Sequence, residues 1–234
     1  MREKGTYFME ERLRRLAEMV DQGARLADIG TDHAYLPIDL IKRSKIDFAI
    51  ASDVAKGPLE NAKKDIAEAG LQDKIETRLG SGLETLREID NLDTIVIAGM
   101  GGKLMSDLLE QAKNSGKLYP TLILEPNIGE PGVRRWLMKN NYEIVKEEVI
   151  EVSGHIYELI KAKLRDKNVT LTEVEIQFGP KLLQEKNAVF IKKWTNQLTY
   201  QKNLLSNLNK AKVKASDRIK ETERLISEIE DILK

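Results

Sequence analysis

The chain has 234 residues, 38 Lys and Arg against 38 Asp and Glu, and no cysteine. Such a length makes one large domain or two small ones and buries its own core without covalent staples. The lack of cysteine excludes disulfides and thiolate catalysis, and with His33 and His155 as the only imidazoles no metal site is expected.

The balanced total hides an asymmetry: residues 181–234 hold 12 basic and 7 acidic side chains, so this tail is net +5 and residues 1–180 are net −5. That admits a polyanionic partner, or simply a solvated helical face. The opening stretch MREKGTYFMEERLRRLAEMV is charged from its second residue and lacks the apolar core of a secretory signal. No run approaches the roughly 18 apolar residues of a membrane span. A soluble, cytoplasmic protein is expected.

In chain order, Leu13, Leu16, Ala17 and Val20 fall at helical spacing over Glu10–Val20, with Arg12, Arg14 and Arg15 outside the apolar stripe. Short apolar runs then alternate with helix-like segments. The runs are Arg25–Gly30, Phe48–Val54, Ile75–Gly80, Thr94–Met100 and Thr121–Pro126. Each is apolar at nearly every position and bounded by Gly, Asp or Pro, the signature of strands buried on both faces. Helices are predicted at Leu36–Ser44, Pro58–Ala69, Leu83–Glu88, Lys103–Asn114 and Val133–Asn140. This alternation implies βαβ units and a parallel sheet covered by helices. The β-rich runs Tyr142–Val152 and Ile156–Lys163, joined by Ser153-Gly154, read as an antiparallel hairpin. The predicted fold class is therefore α/β, a Rossmann-like sheet of the class I methyltransferase type. It comprises parallel strands closed by an antiparallel hairpin over residues 1–165, with a C-terminal helical unit over 166–234.

Within that unit, Gly179-Pro180 marks a break and a helix start. Beyond it Ile191, Trp194, Leu198, Leu205, Leu208, Ala215, Ile219, Ile226, Ile229 and Leu233 recur at spacings of three and four. A helical hairpin turning within 206–217 would bury this seam; a dimerising coiled coil is the other reading.

In an open parallel sheet, ligands bind at the carboxyl ends of the strands. The first strand ends in Asp28-Ile29-Gly30-Thr31-Asp32-His33-Ala34. A dinucleotide site needs G-x-G-x-x-G there, and two carboxylates repel a diphosphate but suit a cofactor with a cationic centre and neutral hydroxyls. The second strand ends in Ser52-Asp53-Val54, which places Asp53, with Val54 beside it, to accept ribose hydroxyls. An Asp here also serves as a helix cap. Gly80-Ser81-Gly82 at the third strand permits a flat ligand to approach backbone, or is an ordinary tight turn. Ile97-Ala98-Gly99-Met100-Gly101-Gly102-Lys103 at the fourth resembles half of a phosphate-binding loop, but Ile97 and Leu104 occupy positions that require Gly and Ser or Thr. What remains, Gly99 included, is a glycine-lined floor for cofactor or substrate. Glu125-Pro126-Asn127 at the fifth presents Asn127 as donor and acceptor, suited to a nucleobase edge or to a turn. His33 is either structural or chemical, and His155 lies by the hairpin turn.

Arg12-Leu13, DIGTDHAYLP at Asp28–Pro37, IAGMGG at Ile97–Gly102 and FGP at Phe178–Pro180 together resemble the TrmK family, bacterial tRNA methyltransferases that modify N1 of adenine 22 using S-adenosylmethionine. The resemblance spans essentially the whole chain. The family usually carries Gln before the Pro-Asn pair, where Glu125 stands here. The resemblance implies a pocket for the cofactor's amino acid part at Asp28, Gly30 and Thr31, a ribose contact at Asp53, and adenine beside Gly80–Gly82. It implies Asp32 and His33 near the reacting base, with Met100 and Asn127 lining the base slot. Arg12, Arg14, Arg15, Lys103, Lys192 and Lys193 are the implied phosphate contacts with tRNA. A class I methyltransferase acting on a small molecule or protein, and a non-catalytic interaction module, are the competing readings of the residues alone.

Overall fold

The computed structural model describes residues 10–210 and 216–234. Its strands are β1 (Arg25–Ile29), β2 (Phe48–Asp53), β3 (Ile75–Leu79), β4 (Thr94–Gly101), β5 (Thr121–Ile128), β6 (Tyr142–Val152) and β7 (His155–Leu164). They form one sheet in the order β3-β2-β1-β4-β5-β7-β6. The first five pair in parallel, and β7 runs antiparallel to both β5 and β6. Ser153 and Gly154 both take positive φ, 51° and 82°, the geometry a two-residue hairpin loop requires.

Helices α1 (Glu11–Met19), α2 (Tyr35–Lys42), α3 (Lys56–Glu68), α4 (Gly102–Asn114) and α5 (Glu130–Lys139) cover the sheet. Period-two alternation divides the strand side chains between two cores. Ala49, Ala51, Val96 and Ile123 face a cluster with Leu16, Leu40 and Ile66. Ile50, Ile95, Ile97, Leu122 and Leu124 face one with Met105, Leu109, Val133 and Leu137. Both faces are buried, so the strands read as continuous apolar runs.

The segment predicted as a helix at Leu83–Glu88 is instead two short 3-10 turns, Gly82–Thr85 and Glu88–Asp90. Here the buried Arg78 guanidinium takes the Thr85 carbonyl at 2.7 Å, a group a continuing helix would use, and is held by the Asp90 carboxylate at 2.5 and 2.7 Å.

After β7 come α6 (Glu173–Phe178), α7 (Leu182–Glu185), α8 (Ala188–Lys210) and α9 (Ser216–Ile232). Gly179 terminates α6 with φ 89°. The turn expected within 206–217 falls largely on residues outside those described, between α8 and α9. Phe190, Trp194, Ile229 and Ile232 form one cluster with Phe178, Leu182 and Val149 of β6; α9 runs back along α8, and α8 packs on β6. Ile191, expected in the seam, is exposed, and Phe190 takes the buried place beside Trp194.

Candidate active site

The strand order reverses between β1 and β4, and a cleft of about 360 Å³ lies at their carboxyl ends. It is lined by Glu10 just before α1, Arg12 and Leu13 from α1, Asp28 of β1, Gly30 to Leu36, and Ala98 and Gly99 of β4. That size falls within the range of small-molecule sites, and the location is where open α/β sheets bind ligands.

Asp28 is the buried acid of this cleft. Burial pushes its pKa up to about 6; the Thr31 hydroxyl and Arg12 oppose the shift, and Asp53 adds to it. Gly30 has φ 80°, and a Cβ there would overlap the Met100 methyl. The backbone N–H groups of Gly30 and Thr31 both donate to the Ser52 carbonyl, at 2.8 and 3.0 Å, which fixes the turn against β2. Ala34 completes the loop in the left-handed region at φ 52°, a conformation that costs a non-glycine residue roughly 1 kcal/mol or more.

His33 is held by contacts to Tyr35 and Asp65. Its ring stacks on Tyr35 at 4.9 Å with an interplanar angle of 7°. Its Nδ1 lies 2.6 Å from Asp65 Oδ2 on α3, and its Nε2 lies 3.8 Å from the exposed Asp32 carboxylate. The ring's orientation is therefore set by Asp65, which no local pattern in the sequence marked.

Asp53 accepts from the Ala55 N–H through Oδ1 at 2.7 Å, a local turn that precedes α3; the helix's N-cap is Ala55 and no side chain caps it, so the cap reading of Asp53 does not hold. Asp53, Val54 and Gly80 to Gly82 lie outside the cleft's lining. Val54 is exposed, and the two glycines have internal reasons for their size: a Cβ on Gly80 would meet Thr85 Cγ2 at 2.6 Å, and one on Gly82 would meet Leu108 Cδ2 at 2.5 Å.

On the other wall, β4 is irregular at Gly99, where the register with β5 shifts. Gly99 has φ 74°, its N–H donates to Glu125 Oε2 at 3.1 Å, and its carbonyl accepts from Asn127 Nδ2 at 2.7 Å. One N–H of the Asn127 amide, read from sequence as free for a nucleobase, thus holds the glycine loop. Glu125 is fully buried, and its Oε2 also accepts from Arg12 Nη1 at 2.5 Å. Burial raises the Glu125 pKa, with Arg12 and the Gly99 N–H pulling against it.

The other expected phosphate contacts divide into two kinds. Lys103 pairs with Asp107 at 2.6 Å, Lys192 with Glu151 at 2.7 Å, and Arg14 with Glu11 at 2.6 Å, all at the surface. Such pairs are worth little and exchange readily for another anion. Arg15 donates to Glu18 at 3.2 Å and lies 3.1 Å from the Glu148 carboxylate without a hydrogen bond to it. Arg12 and Lys193 are committed internally. Arg12 is bound to Glu125, and Lys193 lies 2.6 Å from Glu130 and 2.8 Å from the buried Glu158.

A buried acid at the end of β1, a second acid at the end of β2 and a cleft at the switch point define a class I methyltransferase. The family model for tRNA (adenine(22)-N(1))-methyltransferase, TrmK, matches residues 26–231, and the chain belongs to this family. It is 37% identical over 207 residues to the tRNA (adenine(22)-N(1))-methyltransferase of Bacillus subtilis, covering 87% of each chain. The crystal structure of the B. subtilis m1A22 tRNA methyltransferase TrmK superposes with a TM-score of 0.89 at 34% identity, over 98% of this chain and all of that one. A Streptococcus pneumoniae structure solved in complex with S-adenosyl-L-methionine gives a TM-score of 0.88 at 34% identity, over 97% of this chain and all of that one.

Proposed function

We propose that this chain methylates N1 of adenine 22 in tRNA with S-adenosylmethionine as donor, and that the cleft between β1 and β4 is where the two substrates meet. The observation that carries the reading is Asp28, a buried carboxylate at the switch point within a chain whose family has this activity. The cofactor fits these residues: a buried acid with an elevated pKa gains from a cationic ligand, and the Gly30 turn leaves no side chain between backbone and cleft.

When bound, S-adenosylmethionine supplies a methyl group on a positively charged sulfur. Asp28, Gly30 and Thr31 hold its amino acid portion, Asp53 reaches its ribose, and Val54 with Gly80, Ser81 and Gly82 borders its adenine. Gly99 forms the floor. The accepting N1 lone pair is available only in an unpaired base, so the adenine enters extruded from its stem. Met100 and Asn127 flank it, and Asp32 and His33 sit where the ring gains positive charge. Little proton transfer is needed, so positioning carries most of the rate, a contribution of roughly 7–11 kcal/mol in well-oriented systems.

Residues 1–165 supply the cofactor site and residues 166–234 extend the surface for tRNA. Arg14, Arg15, Lys103 and Lys192 exchange their surface carboxylates for phosphates. We place the reaction in the cytoplasm; among the described residues no helix is long and apolar enough to cross a membrane.

The test is transfer of labelled methyl from S-adenosylmethionine to tRNA transcripts carrying adenine or guanine at position 22. Incorporation with adenine and none with guanine is expected. Equal incorporation into both, or transfer only to small acceptors, overturns the reading.

A further inference from the structure

Arg12 was read from sequence as one of several cations available to tRNA phosphates. Its place in the fold differs from theirs. The guanidinium leaves α1, lies 5.5 Å from the Tyr157 ring centroid on β7, and reaches the carboxylate of Glu125 at the end of β5. Glu125 has no exposed surface, and its other oxygen, Oε1, has no hydrogen-bond partner among the described residues. The bonded oxygen also takes the Gly99 N–H, and the Gly99 carbonyl takes Asn127. Arg12, Glu125, Gly99 and Asn127 therefore form one connected chain of hydrogen bonds across three elements, with Arg12 as its only cation.

We propose that Arg12 is a positioning residue for methyl transfer, acting through Glu125 on the Gly99 loop and Asn127. A buried carboxylate stripped of its counterion is strongly unfavourable, and the surroundings rearrange or admit water to relieve it. Here the surroundings are the carboxyl ends of β4 and β5, which flank the slot proposed above for the target base. Losing Arg12 thus misplaces groups that touch the substrate, which appears in kcat. Losing a phosphate contact instead appears in KM for tRNA and in its salt dependence.

The inference rests on the tRNA methyltransferase reading above, so wild-type transfer to adenine 22 is the control; its failure strikes that reading and not this one. With the control active, kcat and KM for tRNA are measured for Arg12→Gln in the native chain and in a Glu125→Gln background. Glutamine at 125 keeps the shape and removes the charge that Arg12 neutralises. We expect Arg12→Gln to lower kcat at least tenfold in the native chain and by less than threefold, relative to Glu125→Gln alone, in the second background. Calorimetry of cofactor binding and thermal melts accompany each variant. If Arg12→Gln alone does not fold, Arg12→Lys is compared in both backgrounds by the same criterion. Equal losses in both backgrounds, or a loss confined to KM that deepens with added salt, overturns the proposal.

Discussion

Lys193 on α8 lies 2.6 Å from Glu130 in the first turn of α5. That contact ties the C-terminal helices to the segment that immediately follows Asn127. Lys193 also bonds Glu158, which with Glu147 encloses Arg134, and all three of those side chains are essentially without exposed surface. The tail is thereby joined to the catalytic sheet by a buried ionic cluster as well as by an apolar one.

Lys192 and Lys193 are adjacent but should behave differently. Lys193→Ala removes one of two cations facing a buried Glu158 and should destabilise the chain by about 1–3 kcal/mol. Lys192→Ala breaks an exposed pair with Glu151, so its melting temperature should stay close to that of the wild type. Its tRNA affinity should lose about one unit of salt slope. Thermal melts and filter binding across a salt series check both. A Lys193 variant as stable as Lys192→Ala would show the cluster to be energetically idle.

Arg134→Leu leaves two buried carboxylates facing each other and should cost about 3–5 kcal/mol. For a chain of this length that amounts to a fall in melting temperature of roughly 10 °C. Burial works to raise the Glu158 pKa, but Arg134 and Lys193 hold it below the ordinary value of 4.5. A carboxylate with a lowered folded pKa contributes stability above its unfolded pKa and loses it as pH falls through the folded value. The gap between wild type and variant should therefore be full at pH 7 and narrow below about pH 4.5. Chemical denaturation at several pH values reads this directly, and a gap that widens in acid would contradict it.

Asp28 has the opposite sign. The folded chain holds its proton more tightly than the unfolded chain, with a pKa raised from 3.8 to about 6. The cost of ionising it is absent below about pH 4, complete above about pH 6, and roughly 3 kcal/mol in size. Asp28→Asn should therefore melt higher than wild type at pH 7.5, lose that advantage near pH 4, and bind S-adenosylmethionine at least tenfold more weakly. Wild-type affinity for the cofactor should fall as pH drops through 6, and calorimetry would show no such fall in the variant. An Asp28→Asn protein that melts no higher at pH 7.5 would mean the carboxylate is already compensated.

For His33, the 2.6 Å contact with Asp65 predicts coupled effects. If Asp65 acts by orienting the ring, Asp65→Asn lowers kcat by several-fold in wild type and has little further effect once His33 is Ala. Additive losses in the double variant would separate the two residues.

The strands were legible to within one or two residues: β2, β4 and β5, buried on both faces, write themselves as apolar runs, whereas β3, Ile-Glu-Thr-Arg-Leu, is half exposed and was marked by its place in the alternation with helices. β4 and β5 extend to Gly101 and Ile128 because those residues pair with each other beyond the apolar stretch. Asp28 announced itself by its place at a strand end. Glu125 carried a signal too, as a lone acid in the run Thr121–Pro126. Its partner Arg12 lies 113 positions away, and no spacing rule reaches that far. Asp65 sits on a helix among Lys63, Lys64 and Glu68, and nothing local separates it from that solvated surface. The small helix α6 was missed although Thr172 and Glu175 form a reciprocal capping pair, a four-residue pattern visible in the sequence.

The apolar cluster beneath the C-terminal helices also bears on how the chain is made. β6 is an edge strand, and its Val149 belongs to one apolar cluster with Ile229 and Ile232. At a synthesis rate of about 5–20 residues per second, the intervening 80 or so residues take roughly 4–16 s to emerge. Until Ile229 and Ile232 arrive, the cluster on this edge strand is only partly filled, and the strand carries the charges of Lys146, Glu148 and Glu151. Glu151, which later pairs with Lys192, would first help to keep nascent copies of this protein from pairing with one another.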